Sequence, residues 1–250
     1  MESIPPLDVA SFWNWATRFG QSGVLLPMAL LLAAWLAVPA KAPRQAAAWM
    51  VAFCTVVAIT TASKIAFLGF GIGIASLDFT GFSGHAMFSA SVYPMIGYAV
   101  TANAGQRTRL WTLAAGYAVA VLIMVSRLEV HAHSVAEATT GFLLGAGASA
   151  FALWRLGPSP RRALPALLAA GIFAWLAITP QRSQEVLESH RLVTQLALKL
   201  SGRSTPYTRE DLHRRSLEGT WSRRKELNAP TAKNDLAALP LSYTGTMVSF

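Results

Sequence analysis

The sequence predicts an all-α, polytopic integral membrane protein: a six-transmembrane-helix bundle with an amphipathic N-terminal segment and a polar C-terminal tail. Three observations predict it. Of 250 residues, 53% are hydrophobic and only 13% charged, roughly half the charge of an ordinary soluble domain. That charge is uneven: residues 1–180 hold 10 Lys+Arg and 5 Asp+Glu, while 181–250 hold the other 11 and 7. Finally, six apolar segments lie at 23–40, 46–63, 86–103, 110–126, 134–154 and 163–179, each close to the ~20 residues a helix needs to cross the hydrocarbon. The parts are thus an interfacial segment (1–22), a membrane domain (23–180) and a tail (181–250).

In chain order, Phe12-Trp13-Asn14-Trp15 and Arg18 predict a short interfacial helix with aromatic anchors at headgroup depth. No basic region precedes the first apolar run, so no cleaved signal peptide is expected. The turns 41–44, 103–109 and 155–162 fall on one side and carry seven Lys or Arg and no acid. By the positive-inside rule that side is cytoplasmic. The opposite face, periplasmic if the membrane is a bacterial inner membrane, receives Lys64, the stretch 64–85 and the 127–133 turn. The glycine-rich stretch 65–82 reads as a re-entrant or interfacial loop. In the tail, 183–201 reads as an amphipathic helix stopped at Gly202, and Thr208 with Asp211 as the capping box of another. From about 226 the sequence looks irregular. Cys54 is the lone cysteine and says nothing of redox compartment. The net charge of +9 is read as loop and headgroup contact; no nucleic-acid motif accompanies it.

Ionisable residues at the ends of spans are costly and mark function. Here they gather on one predicted face. Lys64 ends the second span, Ser83-Gly84-His85 opens the third, Ser126-Arg127 closes the fourth, and His133 and Glu137 open the fifth. Four residues apart, His133 and Glu137 would share a helix face. The carboxylate could then hold one imidazole nitrogen and leave the other as nucleophile. His85 could protonate a leaving alkoxide. Lys64 and Arg127 give fixed positive charge, and Ser83, Gly84 and a helix start suit an anion. This is an inventory for phosphoryl transfer without a metal.

Ser83-Gly84-His85 and Ser126-Arg127-x5-His133-x3-Glu137 resemble the second and third motifs, PSGH and SR-x5-H-x3-D, of the type 2 phosphatidic acid phosphatase superfamily. The resemblance covers about residues 20–155. It implies a metal-independent membrane phosphatase for lipid phosphates or diphosphates, acting through a phosphohistidine. His133 would be the nucleophile, Glu137 its orienting acid and His85 the general acid and base. Lys64, Ser83, Gly84 and Arg127 would bind phosphate. The chain departs from the pattern at three places. Phe82 stands for the proline before SGH, and Glu137 for the aspartate. The first motif reads K-x6-RP, but Gly71 and Ile72 follow Lys64 at that distance, so one phosphate ligand is absent or comes from elsewhere.

Other readings stay open beside these. Lys64 alone could be a snorkelling lysine, and Arg127 an interfacial anchor. Glu129 and His131 match no motif and read as residues of the site's mouth. His131 and His133, two apart, do not share a helix face, so neither a metal nor another cofactor is expected. Asp78 could shape the entrance or pair with Lys64. Gly141 and Gly145 read as close helix packing within the bundle. The expected partners are a lipid phosphate substrate and membrane lipids. The alternatives are a lipid phosphotransferase using the same site and a non-catalytic lipid-phosphate binder or transporter.

Overall fold

The computed structural model describes residues 9–101, 103–155 and 184–228. Eight α-helices follow one another in them: α1 (Val9–Arg18), α2 (Ser22–Ala37), α3 (Pro43–Phe70), α4 (Gly84–Val100), α5 (Gln106–Glu129), α6 (Val135–Arg155), α7 (Gln184–Ser201) and α8 (Arg209–Asn228). Among the described residues there is no strand, only an isolated bridge between Ile74 and Phe79. Three helical stretches there are long and apolar enough to cross a membrane: Val9–Ala37, Pro43–Phe70 and Gln106–Glu129. Helices α4 (Gly84–Val100) and α6 (Val135–Arg155) fall on the expected segments 86–103 and 134–154. However, α4 has only 17 residues, and α6 is built largely on Gly, Ala, Ser and Thr. The expected sixth span, 163–179, lies outside the described residues.

The apolar positions explain which helices sit inside. Nearly every residue of α4 from Ala86 to Met95 is buried, and this helix packs against α2, α5 and α6. By contrast α5 turns large apolar side chains outward, with Leu110 and Trp111 exposed, as a lipid-facing helix does. In lipid, helix association depends on close packing and interhelical hydrogen bonds. Gly141 and Gly145 provide the first: a Cβ at Gly145 would lie 2.1 Å from the Met87 carbonyl, and one at Gly141 2.5 Å from that of Ser83. The pair therefore seats α6 on α4 within the bundle. Ser149 Oγ adds a bond to the Ala90 carbonyl at 2.8 Å, and Tyr117 Oη meets Ser149 Oγ at 3.0 Å.

One boundary differs from expectation. Helix α3 does not stop at Lys64 but continues to Phe70, where Gly71, at φ 68°, caps it. The Gly71 and Ile72 N–H groups return to the Phe67 and Ala66 carbonyls at 2.8 and 3.1 Å, a left-handed glycine cap that satisfies the last turn. Only 71–83 is loop. It carries the 3-10 turn Ala75–Leu77 and leans on α3 through the bond from Phe82 N–H to Ser63 Oγ at 3.2 Å.

Two compact units part after Leu212: Met1–Leu212 and His213–Phe250. Within the first, α7 packs against α3, and Ala197 and Leu212 are buried. In the second, the described residues are the helical 213–228.

Candidate active site

Helix ends build the site. The C-terminal half of α3 brings Lys64, the N-terminus of α4 brings Ser83, Gly84 and His85, and the last turn of α5 brings Arg127. A tight turn then leads from α5 to α6. The Ala132 and His133 N–H groups both donate to the Arg127 carbonyl, at 3.1 and 3.3 Å, and His131 takes a positive φ of 52°. Through these bonds Arg127 and His133 are held close despite lying six residues apart.

His133 precedes the helix rather than riding on it. Helix α6 begins at Val135, so the expected stacking on one helix face is not how the pair forms. A capping box forms it instead. Ser134 N–H donates to Glu137 Oε2 at 3.2 Å, and Glu137 N–H donates to Ser134 Oγ at 3.3 Å. This is the reciprocal arrangement that fixes a helix start. With the carboxylate curled back over the cap, His133 Nδ1 lies 2.8 Å from Glu137 Oε2. The longer reach of glutamate serves both bonds. Burial draws His133 below its ordinary pKa, outweighing the opposing hydrogen bond and charge of Glu137. The ring is therefore held neutral near pH 7 and able to act as a nucleophile.

The Glu137 carboxylate is fully buried and surrounded by donors. Its Oε1 accepts from Thr80 N–H at 2.6 Å and from the Thr80 hydroxyl. Both oxygens also accept from Arg209 Nη2, at 3.0 and 2.9 Å. Sequence reasoning missed Thr80, Ser134 and Arg209. Arg209 also grips Asp78 through its carbonyl at 2.8 Å and its carboxylate. Asp78 thus pairs with Arg209, where a pairing with Lys64 had been one of two expectations. Burial works against the Arg209 charge, but bonds to Glu137 and Asp78 outweigh it and raise its pKa.

A cavity of about 560 Å³ opens among these residues, lined by Lys64, Gly84, His85, Arg127 and His133 together with Thr80, His190 and Arg209. Burial, then the Lys64 charge, lowers the pKa of His190. Ser83 and Glu137 are buried behind the lining. Ser83 N–H donates to the Glu137 carbonyl at 3.0 Å, which ties the start of α4 to the start of α6. Arg127 Nη1 donates to Thr17 Oγ1 at 2.6 Å, so α1 braces the guanidinium. Ser83 Oγ and Arg127 Nε are among the buried side-chain atoms of the described residues that make no hydrogen bond, and both belong to residues expected to bind phosphate. All seven expected residues thus come together at one end of the bundle. Glu129 and His131 do not line this cavity.

The motif residues found in this geometry fall within, or just before, a stretch that matches a known family. The family model of the PAP2 superfamily matches residues 75–161. The chain belongs to the PAP2 superfamily. A Klebsiella pneumoniae protein described as an "uncharacterized 22.5 kDa protein in cps region" is 35% identical over 209 residues. That alignment covers 82% of this chain and 99% of the relative. No solved structure matches the chain significantly. PAP2 members are phosphatases of phosphate esters, and the three apolar helical stretches are compatible with a membrane protein of this kind. The matched stretch holds Ser83, His85, Arg127, His133 and Glu137, whereas Lys64 and Arg209 lie outside it.

Proposed function

We propose that this PAP2 protein is a membrane-embedded lipid phosphate phosphatase that hydrolyses a phosphomonoester or diphosphate through a phosphohistidine. The observation that carries the proposal is the His133–Glu137 pair at 2.8 Å, facing a cavity that Lys64 and Arg127 also line. A binder needs the cations alone, whereas an imidazole held by a buried carboxylate suits a nucleophile. Glu137 holds Nδ1 and leaves Nε2 for phosphorus.

The reaction proceeds in two displacements. Lys64, Arg127, Ser83 and the N–H groups at the start of α4 bind the phosphate oxygens. His133 Nε2 attacks phosphorus, the bond to the leaving oxygen breaks, and His85 gives that oxygen its proton. Water then attacks the phosphohistidine. His85 takes a proton from the water, the P–N bond breaks, and inorganic phosphate leaves with His133 restored. No step calls on a metal.

The helix-end location supports a lipid substrate, since a headgroup at the membrane surface reaches the ends of apolar helices directly. The basic turns at the opposite helix ends support a bacterial inner membrane orientation with the site facing the periplasm. The test is phosphate release by purified, detergent-solubilised protein from a panel of lipid phosphates and diphosphates, with EDTA present and His133→Ala in parallel. Release that survives EDTA and disappears in the variant is expected. A folded protein inactive on every member of the panel would overturn the reading.

A further inference from the structure

We propose that Arg209, delivered by the C-terminal tail, is a positioning residue of the active site that fixes the Glu137 carboxylate against His133. The proposal rests on the phosphatase reading above and assigns a tail residue lying outside the matched family stretch to the same site.

The guanidinium is committed rather than loose. Nη2 reaches both Glu137 oxygens, at 3.0 and 2.9 Å. Nη1 is taken up by the Asp78 carbonyl and carboxylate. One planar fork therefore clamps the buried carboxylate to the 71–83 loop, a geometry lysine cannot reproduce. A carboxylate buried as fully as Glu137 needs a counter-charge. Lys64 and Arg127 face the phosphate position, and the Lys64+7 position cannot give a third cation cheaply. Gly71 stands there with φ 68°, where a side chain would be strained. The tail brings the cation instead.

Its delivery is built in several steps. Helix α7 lies so close to α3 that a Cβ at Gly69 would be 2.8 Å from the Ala197 carbonyl. Tyr207 N–H donates to the Leu68 carbonyl at 2.9 Å, pinning the connection at the end of α3. Thr208 and Asp211 then form a capping box, with bonds at 3.0 and 3.2 Å. The box sets Arg209 as the first residue of α8, next to the cavity.

The consequence for His133 follows from the charges around it. Around it lie Lys64 from α3, His85 from α4, Arg127 from α5, Glu137 from α6, His190 from α7 and Arg209 from α8, and Asp78 of the loop is held by Arg209. Arg209 partly neutralises Glu137, whose charge favours protonated His133. Removing Arg209 leaves that carboxylate less compensated, so His133 takes up a proton at higher pH. The substitution also frees the Asp78 carboxylate of its partner, which acts on His133 in the same direction.

The test uses the full-length protein in detergent, with Arg209→Gln, Arg209→Lys and the control Lys199→Gln, which removes one exposed tail charge. Two readouts are taken: NMR titration of the His133 ring, and pH profiles of phosphate release. Arg209→Gln is expected to move the His133 midpoint and the acid limb of kcat/KM upward together. It should also lower kcat/KM about ten- to a hundredfold, the loss typical when a group that orients a metal-bound histidine from behind is removed. Arg209→Lys keeps the charge and loses the fork, so the midpoint stays while kcat falls several-fold with KM little changed. An unmoved midpoint in folded Arg209→Gln, an equal shift in Lys199→Gln, or wild-type kcat in Arg209→Lys would each overturn the proposal. If the wild-type protein releases no phosphate, the phosphatase reading fails, while the titration still decides the role of Arg209.

Discussion

Replacing Glu137 by glutamine removes one charge and keeps the shape, so its effect can be worked from the bonds described. Oε1 accepts from Thr80 and Arg209, while Oε2 accepts from His133, Ser134 and Arg209. An amide has a single oxygen. In either orientation its NH2 group faces donors, and whichever side it takes, one of Thr80 or Ser134 with His133 loses its acceptor. Where the NH2 group takes the side of His133, the ring is no longer held with its proton on Nδ1; where it takes the other side, the neutral amide still accepts from His133 but without the charge that stabilises the ring. Loss of the orienting carboxylate in a comparable hydrolase costs about 10⁴-fold in kcat, equivalent to about 5.5 kcal/mol of transition-state stabilisation. Because Arg127 and the start of α4 remain, we expect a loss of about 10³- to 10⁴-fold in phosphate release from lipid micelles. The acid limb should also move down, since Glu137 favours protonated His133. Glu137→Asp keeps the charge but is one methylene shorter, so it cannot reach both Thr80 and His133 and should lose about tenfold. Size-exclusion behaviour and helical circular dichroism check folding. A folded Glu137→Gln protein within tenfold of wild type would refute the reasoning.

Other expectations follow from the same structure. Wild-type kcat/KM should fall as pH drops through the His133 midpoint, because protonation removes the nucleophilic lone pair; the midpoint should lie below ~6.5, and a limb above pH 7 traced to His133 by NMR would contradict this. Lys64→Gln and Arg127→Gln should raise KM for the phosphate substrate by about ten- to a hundredfold each, at the ~1.5–3 kcal/mol of a charge-assisted bond, read from initial rates. Gly145→Ala puts a methyl 2.1 Å from the Met87 carbonyl and should destabilise the bundle by about 1–3 kcal/mol in thermal unfolding. Gly147→Ala, with nothing within 4 Å of the new atom, should be neutral in the same assay.

Local spacing made much of the site legible. Ser83-Gly84-His85 and Ser126-Arg127-x5-His133-x3-Glu137 are short motifs at helix ends, so their members meet wherever those helices pack. Gly141 and Gly145 marked close packing within the bundle for the same reason, although the partner, α4, is seen only in the structure. What stayed hidden depends on long-range contact or on backbone conformation. Arg209 lies 72 residues beyond Glu137, and no periodicity links them; the only signal was a buried acid needing a counter-charge. Thr80 acts through its backbone as well as its hydroxyl, which residue type does not announce. The Ser134-x-x-Glu137 capping box was readable, yet an i, i+4 helical face accounted for the same spacing. The extension of α3 past Lys64 was masked by glycines, of which Gly71 is the cap that ends the helix rather than a sign that it had already ended.

The central claim is that phosphorus passes through His133, and it is tested most directly by rapid quenching of turnover on a lipid substrate labelled in its phosphate. The wild-type chain should carry label that is stable to alkali and released by acid, as a phosphohistidine is, and that chases into inorganic phosphate. His133→Ala should carry none. Turnover by the wild-type protein with no labelled chain at any quench time, or label that persists in folded His133→Ala, would contradict the account.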